Sequence, residues 1–310
     1  MIIVDGRAIA QKVLSQIKTG LNGRPVSIAA IWVGENLATG RFVEMKKKYA
    51  ESVGIKMDVY HFENRVQEKE IINRIGGLSE NGIIVELPLP KHLNRDKILD
   101  SIPKEKDIDV LSLSAQEDFY NNQQSSPGVG DSPLRTPKID PPSVGALKIL
   151  FEEYKINPKN KVAAVFGQSI LIGKPISHWL ENMGAKVFKI DENTENPKEL
   201  CLKADIVISG VGKTGLISGD IIKDGSVVVD FGFVPIFPNL KNLRKIEDPR
   251  FANRVSREAN REKIRIVGDV DFGSVAPKSS LITPVPGGMG PILIASFLEN
   301  VSKLYLSSAR

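Results

Sequence analysis

The sequence predicts an α/β protein built from two domains. Apolar runs bounded by turn residues alternate with stretches of helical periodicity, a pattern typical of mostly parallel sheets covered by helices on both faces. A polar stretch rich in turn-forming residues interrupts this alternation near the middle of the chain, and a second alternating unit follows it. With 310 residues, the chain is long enough to bury two hydrophobic cores.

The first unit is predicted to contain three strands with helices between them. Its last strand must end at the prolines that follow Leu87, which places residue 86 at the carboxyl end of a strand. Ligand sites of α/β proteins gather at such ends. The predicted strands are Ser27–Val33, Lys56–Phe62 and Gly82–Leu87, and the predicted helices are Gly6–Leu21, Ala38–Ser52 and Gln67–Ser79.

The second unit is predicted to begin near Pro141. The segment that precedes it, Leu113–Lys138, is polar and rich in breaker residues, and we expect it to be a mobile surface connection. The charged stretch Pro238–Lys263 is expected to be a solvated excursion on the surface. The strand candidates of this unit are Val162–Phe166, Lys186–Ile190, Ile206–Val211, Ser226–Phe231 and Ile264–Val270.

Composition excludes several classes of protein. A net charge of +5 over 310 residues is too small for a nucleic-acid-binding signature, and no stretch reaches the roughly 20 apolar residues of a membrane span. The single cysteine, Cys201, excludes an intrachain disulfide and fits a reducing compartment. The scattered histidines show no metal-ligand spacing, so no metal is predicted. The N-terminal residues lack the pattern of a signal peptide, and a cytoplasmic location is expected.

The run Ile282–Pro291 is the most constrained stretch of the chain. Three prolines fix φ within it, and three glycines allow conformations that are closed to other residues. The apolar run Ile292–Leu298 follows, so the turn is predicted to open a helix. One interpretation is a rigid backbone that lies against a flat ligand, and the other is a plain loop between a strand and a terminal helix.

This run resembles the Pro-Gly-Gly-Val-Gly-Pro signature of the methylenetetrahydrofolate dehydrogenase/methenyltetrahydrofolate cyclohydrolase family. Further blocks resemble the family in the same order, and the match is poor at 113–140 and 236–264. These blocks are Val33–Ile55, Gly82–Pro90, Lys106–Leu111, and Val162–Pro175 with its continuation to Phe233.

The resemblance implies an N-terminal α/β folate domain of residues 1–140 plus 290–310, to which the C-terminal helix returns. It also implies a Rossmann-like, doubly wound NAD(P) domain of residues 141–289, and a homodimer formed through that domain. The signature itself is expected to contact the folate through Pro286, Gly287, Gly288, Met289 and Gly290.

The cofactor site is predicted where a buried strand runs through Gly167 into a helix, because free N–H groups at a helix N-terminus bind phosphate. The family has an Arg that holds the 2′-phosphate of NADP, and Gln168 stands there. Asp191, 24 positions after Gly167, lies near the place of an acidic residue that binds a ribose 2′-hydroxyl. Both changes favour NAD over NADP, although Asp191 also fits a surface residue that begins a loop. The expected cofactor contacts are Gly167, Gln168, Ser169, Gly173, Asp191 and Phe233.

The folate site is predicted to start on one helix face, since Phe42, Lys46 and Tyr49 are spaced at i, i+4 and i+7. Without the resemblance, the lysines here would read as an ordinary solvated helix face. The stretch resembles the family's Tyr-Val-x-x-Lys-x-Lys, which places the central catalytic lysine at Lys46 and a Phe at the tyrosine position. Phe42 can stack on the substrate but offers no hydroxyl.

Two further motifs supply carboxylates. Glu86 stands at the glutamine of the family's Gly-Ile-Leu-Val-Gln-Leu-Pro-Leu-Pro, between the expected substrate contacts Val85 and Leu87. A carboxylate near Lys46 would raise the pKa of that lysine. Asp109 stands at the pterin-binding acid of Lys-Asp-Val-Asp-Gly, where its carboxylate can accept two hydrogen bonds.

Two smaller departures accompany them. Val110 replaces the glycine of that motif, so a different backbone is expected there. The stretch 140–145 keeps only Gly145 of Pro-Cys-Thr-Pro-x-Gly, which puts the approach to the site in question.

Together these features predict an enzyme of one-carbon metabolism that oxidises 5,10-methylenetetrahydrofolate to 5,10-methenyltetrahydrofolate with NAD or NADP. Hydride transfer mainly needs positioning, whereas hydrolysis to 10-formyltetrahydrofolate needs a proton relay, so the changes at Phe42 and Glu86 are expected to weaken the cyclohydrolase step. One alternative is a fully bifunctional dehydrogenase/cyclohydrolase. Another is a catalytically silent folate- or dinucleotide-binding protein.

Overall fold

A computed structural model of the chain describes residues 1–121, 138–236 and 265–308. Its strands are β1 (Ile2–Ile3), β2 (Val26–Val33), β3 (Ile55–Phe62), β4 (Gly82–Val85), β5 (Val162–Phe166), β6 (Lys186–Ile190), β7 (Ile206–Ser209), β8 (Val227–Asp230), β9 (Val234–Ile236), β10 (Arg265–Val267) and β11 (Leu281–Ile282). Its helices are α1 (Gly6–Leu21), α2 (Leu37–Ser52), α3 (Glu68–Gly76), α4 (Arg95–Leu99), α5 (Leu113–Asn121), α6 (Pro142–Glu153), α7 (Gly173–Asn182), α8 (Pro197–Leu202), α9 (Phe272–Val275) and α10 (Met289–Ser308). Short 3₁₀ helices cover Lys104–Lys106 and Ala276–Lys278.

The first sheet has three parallel strands in the order β3-β2-β4. The central strand β2 is apolar along nearly its whole length, as expected of a parallel strand that is buried on both faces. Helices α1, α2 and α10 pack with one face of this sheet into a core that includes Ile28, Ile55 and Phe297. All three predicted strands and all three predicted helices of the first unit are present, with ends shifted by a few residues.

The second sheet has six parallel strands in the order β1-β11-β8-β7-β5-β6. The N-terminal strand β1 lies in this sheet, where it pairs with β11, and the chain then crosses to α1 of the first unit. The C-terminal helix α10 packs against both α1 and α6, as predicted from its return to the first domain. The fold is therefore α/β with two mostly parallel sheets, and no helix in the described part of the chain is long and apolar enough to cross a membrane.

One prediction about local structure is wrong for part of its range, and another is confirmed only in part. Residues 113–121 form helix α5, although the segment was predicted to be an irregular connection. Phe119 of this helix packs against the hydrophobic core of the second unit, which stabilises the helix. The strand predicted at Ile264–Val270 is shorter than expected, since β10 ends at Val267. It pairs antiparallel with β9 in a separate two-stranded sheet. The next residues turn away because the backbone N–H groups of Asp269 and Val270 donate to Asp230. The remainder of the connection and the charged stretch at 238–263 lie outside the described residues.

Candidate active site

A cleft of about 130 Å³ lies between the two sheets, at the carboxyl ends of β4 and β5. Its walls come from both units of the chain, which is where α/β proteins commonly bind ligands. Most of the lining is apolar, with three ionisable side chains. The lining residues are Phe42, Lys46, Val85, Glu86, Leu87, Asp109, Leu111, Pro141, Pro142, Ser143, Ile170, Leu171, Ile172, Leu293, Ile294 and Phe297.

A buried ion pair occupies the floor of the cleft. Lys46 lies in the middle of α2, and Glu86 follows β4 directly, with its backbone N–H donating to Ile31 across the sheet at 2.9 Å. The Lys46 ammonium donates to Oε1 of Glu86 at 2.8 Å, and the two side chains are 8% and 6% exposed. At such burial the attraction between the charges is screened far less than at the surface.

Aromatic rings enclose the ammonium on two further sides. Its Nζ lies 5.1 Å from the ring centroid of Phe42 and 5.1 Å from that of Phe297. The face of an aromatic ring attracts a cation. Phe42 also meets Phe233 from the other unit edge to face, with centroids 5.8 Å apart. The ammonium is thus held in its charged form in an otherwise apolar pocket.

The protonation of the cleft follows from these contacts. Burial by itself lowers the pKa of Lys46, but the carboxylates of Glu86 and Asp109 outweigh it, and the net result is a raised pKa. The net pKa of Asp109 is raised to about 6, because burial and the nearby Glu86 and Asp107 raise it by more than Lys46 lowers it, and burial is the largest of these effects. Near neutral pH the cleft therefore holds a charged lysine and two carboxylates.

A tight turn presents Asp109 to the cleft. Oδ2 of Asp107, which is fully buried, accepts hydrogen bonds from the backbone N–H groups of Leu111 at 2.9 Å and Ser112 at 2.7 Å. Between them Val110 adopts a left-handed conformation with φ of 58°, a conformation that β-branched residues rarely take. Val110 therefore adopts a left-handed backbone that glycine takes without strain.

The turn after β5 is a tight glycine turn, here called the cradle, that leads directly into α7. Gly167 has φ of +84° and its N–H donates to Ile190 of the neighbouring strand at 2.8 Å. A Cβ on Gly173, the first residue of α7, would lie 1.6 Å from the Gly167 carbonyl, so only glycine permits the helix to begin so close to the strand. A glycine turn that leads from a strand to a helix N-terminus fits the pyrophosphate of NAD or NADP.

The polar residues of this turn are held by the protein itself. The Gln168 amide donates to the Val165 carbonyl at 3.0 Å and accepts from the Ser177 hydroxyl at 3.5 Å. Ser169 Oγ accepts from the backbone N–H of Ile172 at 3.2 Å.

Asp191 follows β6 directly and is exposed beside Gly167. Its Oδ1 accepts from the Asn193 N–H and from the Thr194 hydroxyl, both at 3.0 Å. Asp191 therefore begins a loop, as one of the two sequence interpretations proposed, and its charge nonetheless lies at the carboxyl end of the strand next to the cradle.

Two buried aspartates that the motif analysis did not single out brace the neighbouring loop. Asp269 accepts hydrogen bonds, all of 2.7 Å, from the Ser209 hydroxyl and the backbone N–H groups of Val211 and Lys213. Asp230 in turn accepts from the Asp269 N–H at 3.1 Å, and burial raises its pKa to about 6. They fix the loop after β7, which lies directly against Gly167. The only sequence signal was a pair of acidic residues at the ends of apolar strands.

The Pro/Gly signature lies at the start of α10. Gly287 has φ of +105° and accepts from the Gly6 N–H at 2.9 Å, while Met289 is buried and begins the helix. The turn opens a helix, as predicted. Residues 286–290 are not among the residues that line the cleft, which α10 reaches one to two turns later. Their contact with a folate stays a prediction.

Comparison with known proteins identifies the family. The family model for the tetrahydrofolate dehydrogenase/cyclohydrolase catalytic domain matches residues 4–109, and the model for its NAD(P)-binding domain matches residues 141–309. The bifunctional protein FolD of Mycoplasmopsis synoviae is 36% identical to this chain over 311 residues, which cover 98% of this chain and 100% of that protein. The chain belongs to the tetrahydrofolate dehydrogenase/cyclohydrolase family.

Other members of the tetrahydrofolate dehydrogenase/cyclohydrolase family are similar over their full length. The FolD protein of Nautilia profundicola is 35% identical, over 98% of this chain and 96% of that protein. The structure of FolD from Campylobacter jejuni is 31% identical and superposes with a TM-score of 0.79, covering 99% of both chains. The Trypanosoma brucei structure, which contains NADP and an inhibitor, is 25% identical with a TM-score of 0.83 over 100% of this chain and 98% of that one.

The structure brings together most of the residues that the family motifs predict to bind the folate. Six of them line one cleft, and Lys46 reaches Glu86 as expected from the two motifs. These six are Phe42, Lys46, Val85, Glu86, Leu87 and Asp109. Phe233, expected at the cofactor, contacts Phe42 edge to face, and its contact with a cofactor stays a prediction.

Several residues line the cleft that the sequence did not predict as site residues. Phe297 is one of a long run of apolar residues in α10, and nothing in the sequence distinguishes it from its buried neighbours. Ile170, Leu171 and Ile172 belong to the turn after Gly167 but also form a wall of the cleft. Ser143 lines the cleft at the start of α6, and its buried hydroxyl has no hydrogen-bond partner.

Proposed function

We propose that this protein oxidises 5,10-methylenetetrahydrofolate to 5,10-methenyltetrahydrofolate with NAD as the preferred hydride acceptor, and that its cyclohydrolase step is slow. One observation carries the dehydrogenase assignment. The turn after Gly167 forms one wall of the same cleft whose floor holds Lys46 and whose side holds Asp109. A dinucleotide in the cradle and a folate over the lysine would therefore meet in this cleft.

The residues of the chain mainly bind and orient the reactants. Asp109 suits the ring N–H and amino group of a pterin, and Phe42 offers an aromatic face. The Gly167 and Gly173 turn would hold the cofactor pyrophosphate, and the apolar lining excludes water from the reacting carbon. A bound NAD or NADP would supply an acceptor for the hydride. Because positioning is the main demand, no proton relay is needed for this step.

Hydrolysis of the methenyl product makes a different demand, since a proton must be moved as water attacks. A lysine relays protons best when its pKa is close to neutral pH, but here Glu86 and Asp109 raise the pKa of Lys46. Phe42 has no hydroxyl to place the water. The named relatives are bifunctional proteins, which favours the second candidate function, a complete dehydrogenase/cyclohydrolase.

NAD is favoured over NADP by two features of the cradle. The Gln168 amide is turned inward onto Val165 and Ser177, so it does not replace the phosphate-binding Arg of the family. The Asp191 carboxylate stands exposed at the adjacent strand end, where it would repel a 2′-phosphate and could accept from a 2′-hydroxyl.

Spectrophotometry on the purified protein tests both steps. Methylenetetrahydrofolate is mixed with NAD or NADP, and reduced cofactor and methenyl absorbance are followed together. We expect NADH to form with accumulation of the methenyl product. Absence of reduced cofactor with either acceptor would support the silent binding protein, and a clear preference for NADP would overturn the cofactor assignment.

The hydrolysis step has its own test with supplied methenyltetrahydrofolate, corrected for spontaneous hydrolysis. Glu86→Gln should hydrolyse it faster than the parent, and Phe42→Tyr should add to that gain. Fast hydrolysis by the parent that is lost in Lys46→Ala would instead establish the bifunctional enzyme.

We also propose a cytoplasmic homodimer formed through the second unit. The single cysteine of the sequence, Cys201, is free and buried, and burial raises its pKa to about 12, so it is an inert thiol suited to a reducing compartment. The homodimer is supported by the family resemblance. Sedimentation of the purified protein measures the assembly, and a monomer at micromolar concentration would contradict it.

A further inference from the structure

The charges on the cleft floor do not cancel. Among the described residues that line the cleft, the ionisable ones are Lys46, Glu86 and Asp109, which carry one positive and two negative charges when all are ionised. The family motif has a neutral glutamine at residue 86, so the same site in that pattern is balanced. Glu86 thus gives this cleft one surplus negative charge in apolar surroundings.

The proposed reaction creates a positive charge in the same place. A C–H bond of the bridging methylene breaks with both electrons, which reduce the nicotinamide ring of the acceptor. The bridge between N5 and N10 becomes a cation whose charge is shared by the two nitrogens. The substrate folate has no charge there, so the surplus carboxylate acts differently on substrate and product.

We propose that Glu86 makes this cleft selective for cationic 5,10-methenyltetrahydrofolate over folates with a neutral N5–N10 region. The proposal rests on the proposed function, because it takes the folate to lie over Lys46 and beside Asp109. Selectivity follows from the surplus charge in the apolar cleft, since electrostatic attraction is strengthened where water is excluded. The site would retain the oxidised product, so we expect that product to persist ahead of hydrolysis.

The protonation of Asp109 gives the proposal a second signature. The groups that act on this carboxyl are Lys46 from α2, Glu86 after β4 and Asp107 on its own turn. With a pKa of about 6, Asp109 is ionised above that pH and neutral below it. As pH falls through about 6, the surplus charge disappears and preference for the cation should fall with it.

The experiment compares two ligands in rapid-mixing titrations of the full-length protein. Methenyltetrahydrofolate is the cationic probe, and 5-formyltetrahydrofolate, whose N5 is acylated and not basic, is the neutral one. The measured quantity is the ratio of their dissociation constants. We expect the preference for the cation to fall about tenfold or more in Glu86→Gln, as for the loss of one nearby charge at low dielectric.

Glu80→Gln is the matched control. Glu80 is also buried in the first unit, but it bonds Tyr60 and is not among the cleft residues, so its loss changes net charge equally and should leave the ratio unchanged. Thermal melts verify that both variants fold. In the parent, titrations between about pH 7.5 and about pH 5 should show the preference decline through about pH 6.

The outcomes separate this inference from the proposed function. An unchanged ratio in folded Glu86→Gln, or a flat pH profile in the parent, would overturn the selectivity while dehydrogenase activity could persist. Failure of the parent to bind either folate would overturn the proposed function itself. A ratio that falls equally in Glu80→Gln would show that net charge of the protein, and not Glu86 in the cleft, is responsible.

Discussion

The two units of the chain each place an acidic residue directly after a parallel strand, but at opposite degrees of burial. In the first unit, Glu86 is 7% exposed and bonded to Lys46. In the second unit, Asp191 is exposed and is held by its own loop. The two units also differ in the residue that adopts a left-handed backbone at the site. It is Gly167 in the second unit, with φ of +84°, and Val110 in the first, with φ of +58°.

The difference shows how burial decides what a charge can do. A buried carboxylate without a partner costs several kcal/mol, so Glu86 needs the charge of Lys46 nearby. Both residues therefore contribute to the stability of the fold as well as to the site. An exposed carboxylate has no such requirement and is screened by salt, so Asp191 can alter specificity at little expense in stability. Substitutions in the two units should therefore differ in kind, with stability changing in the first and cofactor preference in the second.

The largest expected effect is on folding, from breaking the buried pair. Glu86→Leu leaves the Lys46 ammonium unpaired and should lower the free energy of unfolding by about 3–5 kcal/mol. Replacing both partners, in Lys46→Met with Glu86→Leu, should recover most of that loss because apolar side chains fit a largely apolar site. Urea unfolding followed by circular dichroism measures all three.

An exposed pair in the second unit provides the control. Lys198 and Asp220 are 2.6 Å apart, but their side chains are 56% and 66% exposed. Asp220→Ala should leave the urea midpoint close to that of the parent. If it shifts the midpoint as far as Glu86→Leu does, or if the double substitution is no more stable than the single one, burial is not what distinguishes the two units.

The second effect is on folate binding alone. Asp109→Ala removes the carboxylate expected to match the pterin donors, and leaving such donors unpaired costs about 1–3 kcal/mol, or about five- to 150-fold in affinity. Cofactor affinity should not change, because Asp109 belongs to the first unit. Titrations of tetrahydrofolate and NAD measure the two affinities separately.

Asp191→Ala is the counterpart in the second unit. It removes an acidic residue of the same type and should leave tetrahydrofolate affinity unaltered. Folate binding by Asp109→Ala that equals the parent would show that Asp109 has another role.

Much of the fold could be predicted because its strands and helices carry strong local signals. Strands β2 and β5 are continuous apolar runs bounded by turn residues, and the apolar residues of α1 recur every three to four positions along one face. Helix α5 was not predicted, because the many breaker residues after Asn121 led to one prediction of irregular structure for the whole of residues 113–138. The antiparallel pairing of β9 and β10 was missed because strands of three residues carry no periodicity.

The site could be predicted where charge or glycine marks it, and not elsewhere. The meeting of Lys46 with Glu86 could be predicted from the two family motifs, since helix spacing alone would leave Lys46 on a solvated face. The role of Phe297 depends on which face of an apolar helix meets the lysine, and that is decided by packing. The inward turn of Gln168 depends on Ser177, one turn into α7, and no local pattern encodes it.

The third effect is a change of specificity in the second unit. Asp191→Arg replaces a charge that repels a 2′-phosphate with one that attracts it, and the ratio of kcat/KM for NADP to that for NAD should rise by about tenfold at low salt. The rise should shrink as salt increases, as expected of an exposed charge. Steady-state kinetics with both cofactors measure it.

Glu195→Arg makes the same change of charge four residues further along the exposed loop. It should leave the ratio near that of the parent. Equal effects of the two substitutions would indicate a general field of the surface and would remove Asp191 from the cofactor site.

The smallest effect tests the backbone contrast between Val110 and Gly167. Glycine adopts the left-handed conformation without strain, whereas residues with a Cβ lose about 1 kcal/mol or more there. Val110 is also buried, so shortening it removes apolar contact in either variant. Val110→Gly should nevertheless be more stable than Val110→Ala by about 1 kcal/mol, although it removes the larger number of atoms. At Val43, which is buried in the right-handed helix α2, the order should be reversed, with Ala more stable than Gly. Urea unfolding of the four variants decides it, and the same order at both positions would mean that Val110 carries no strain.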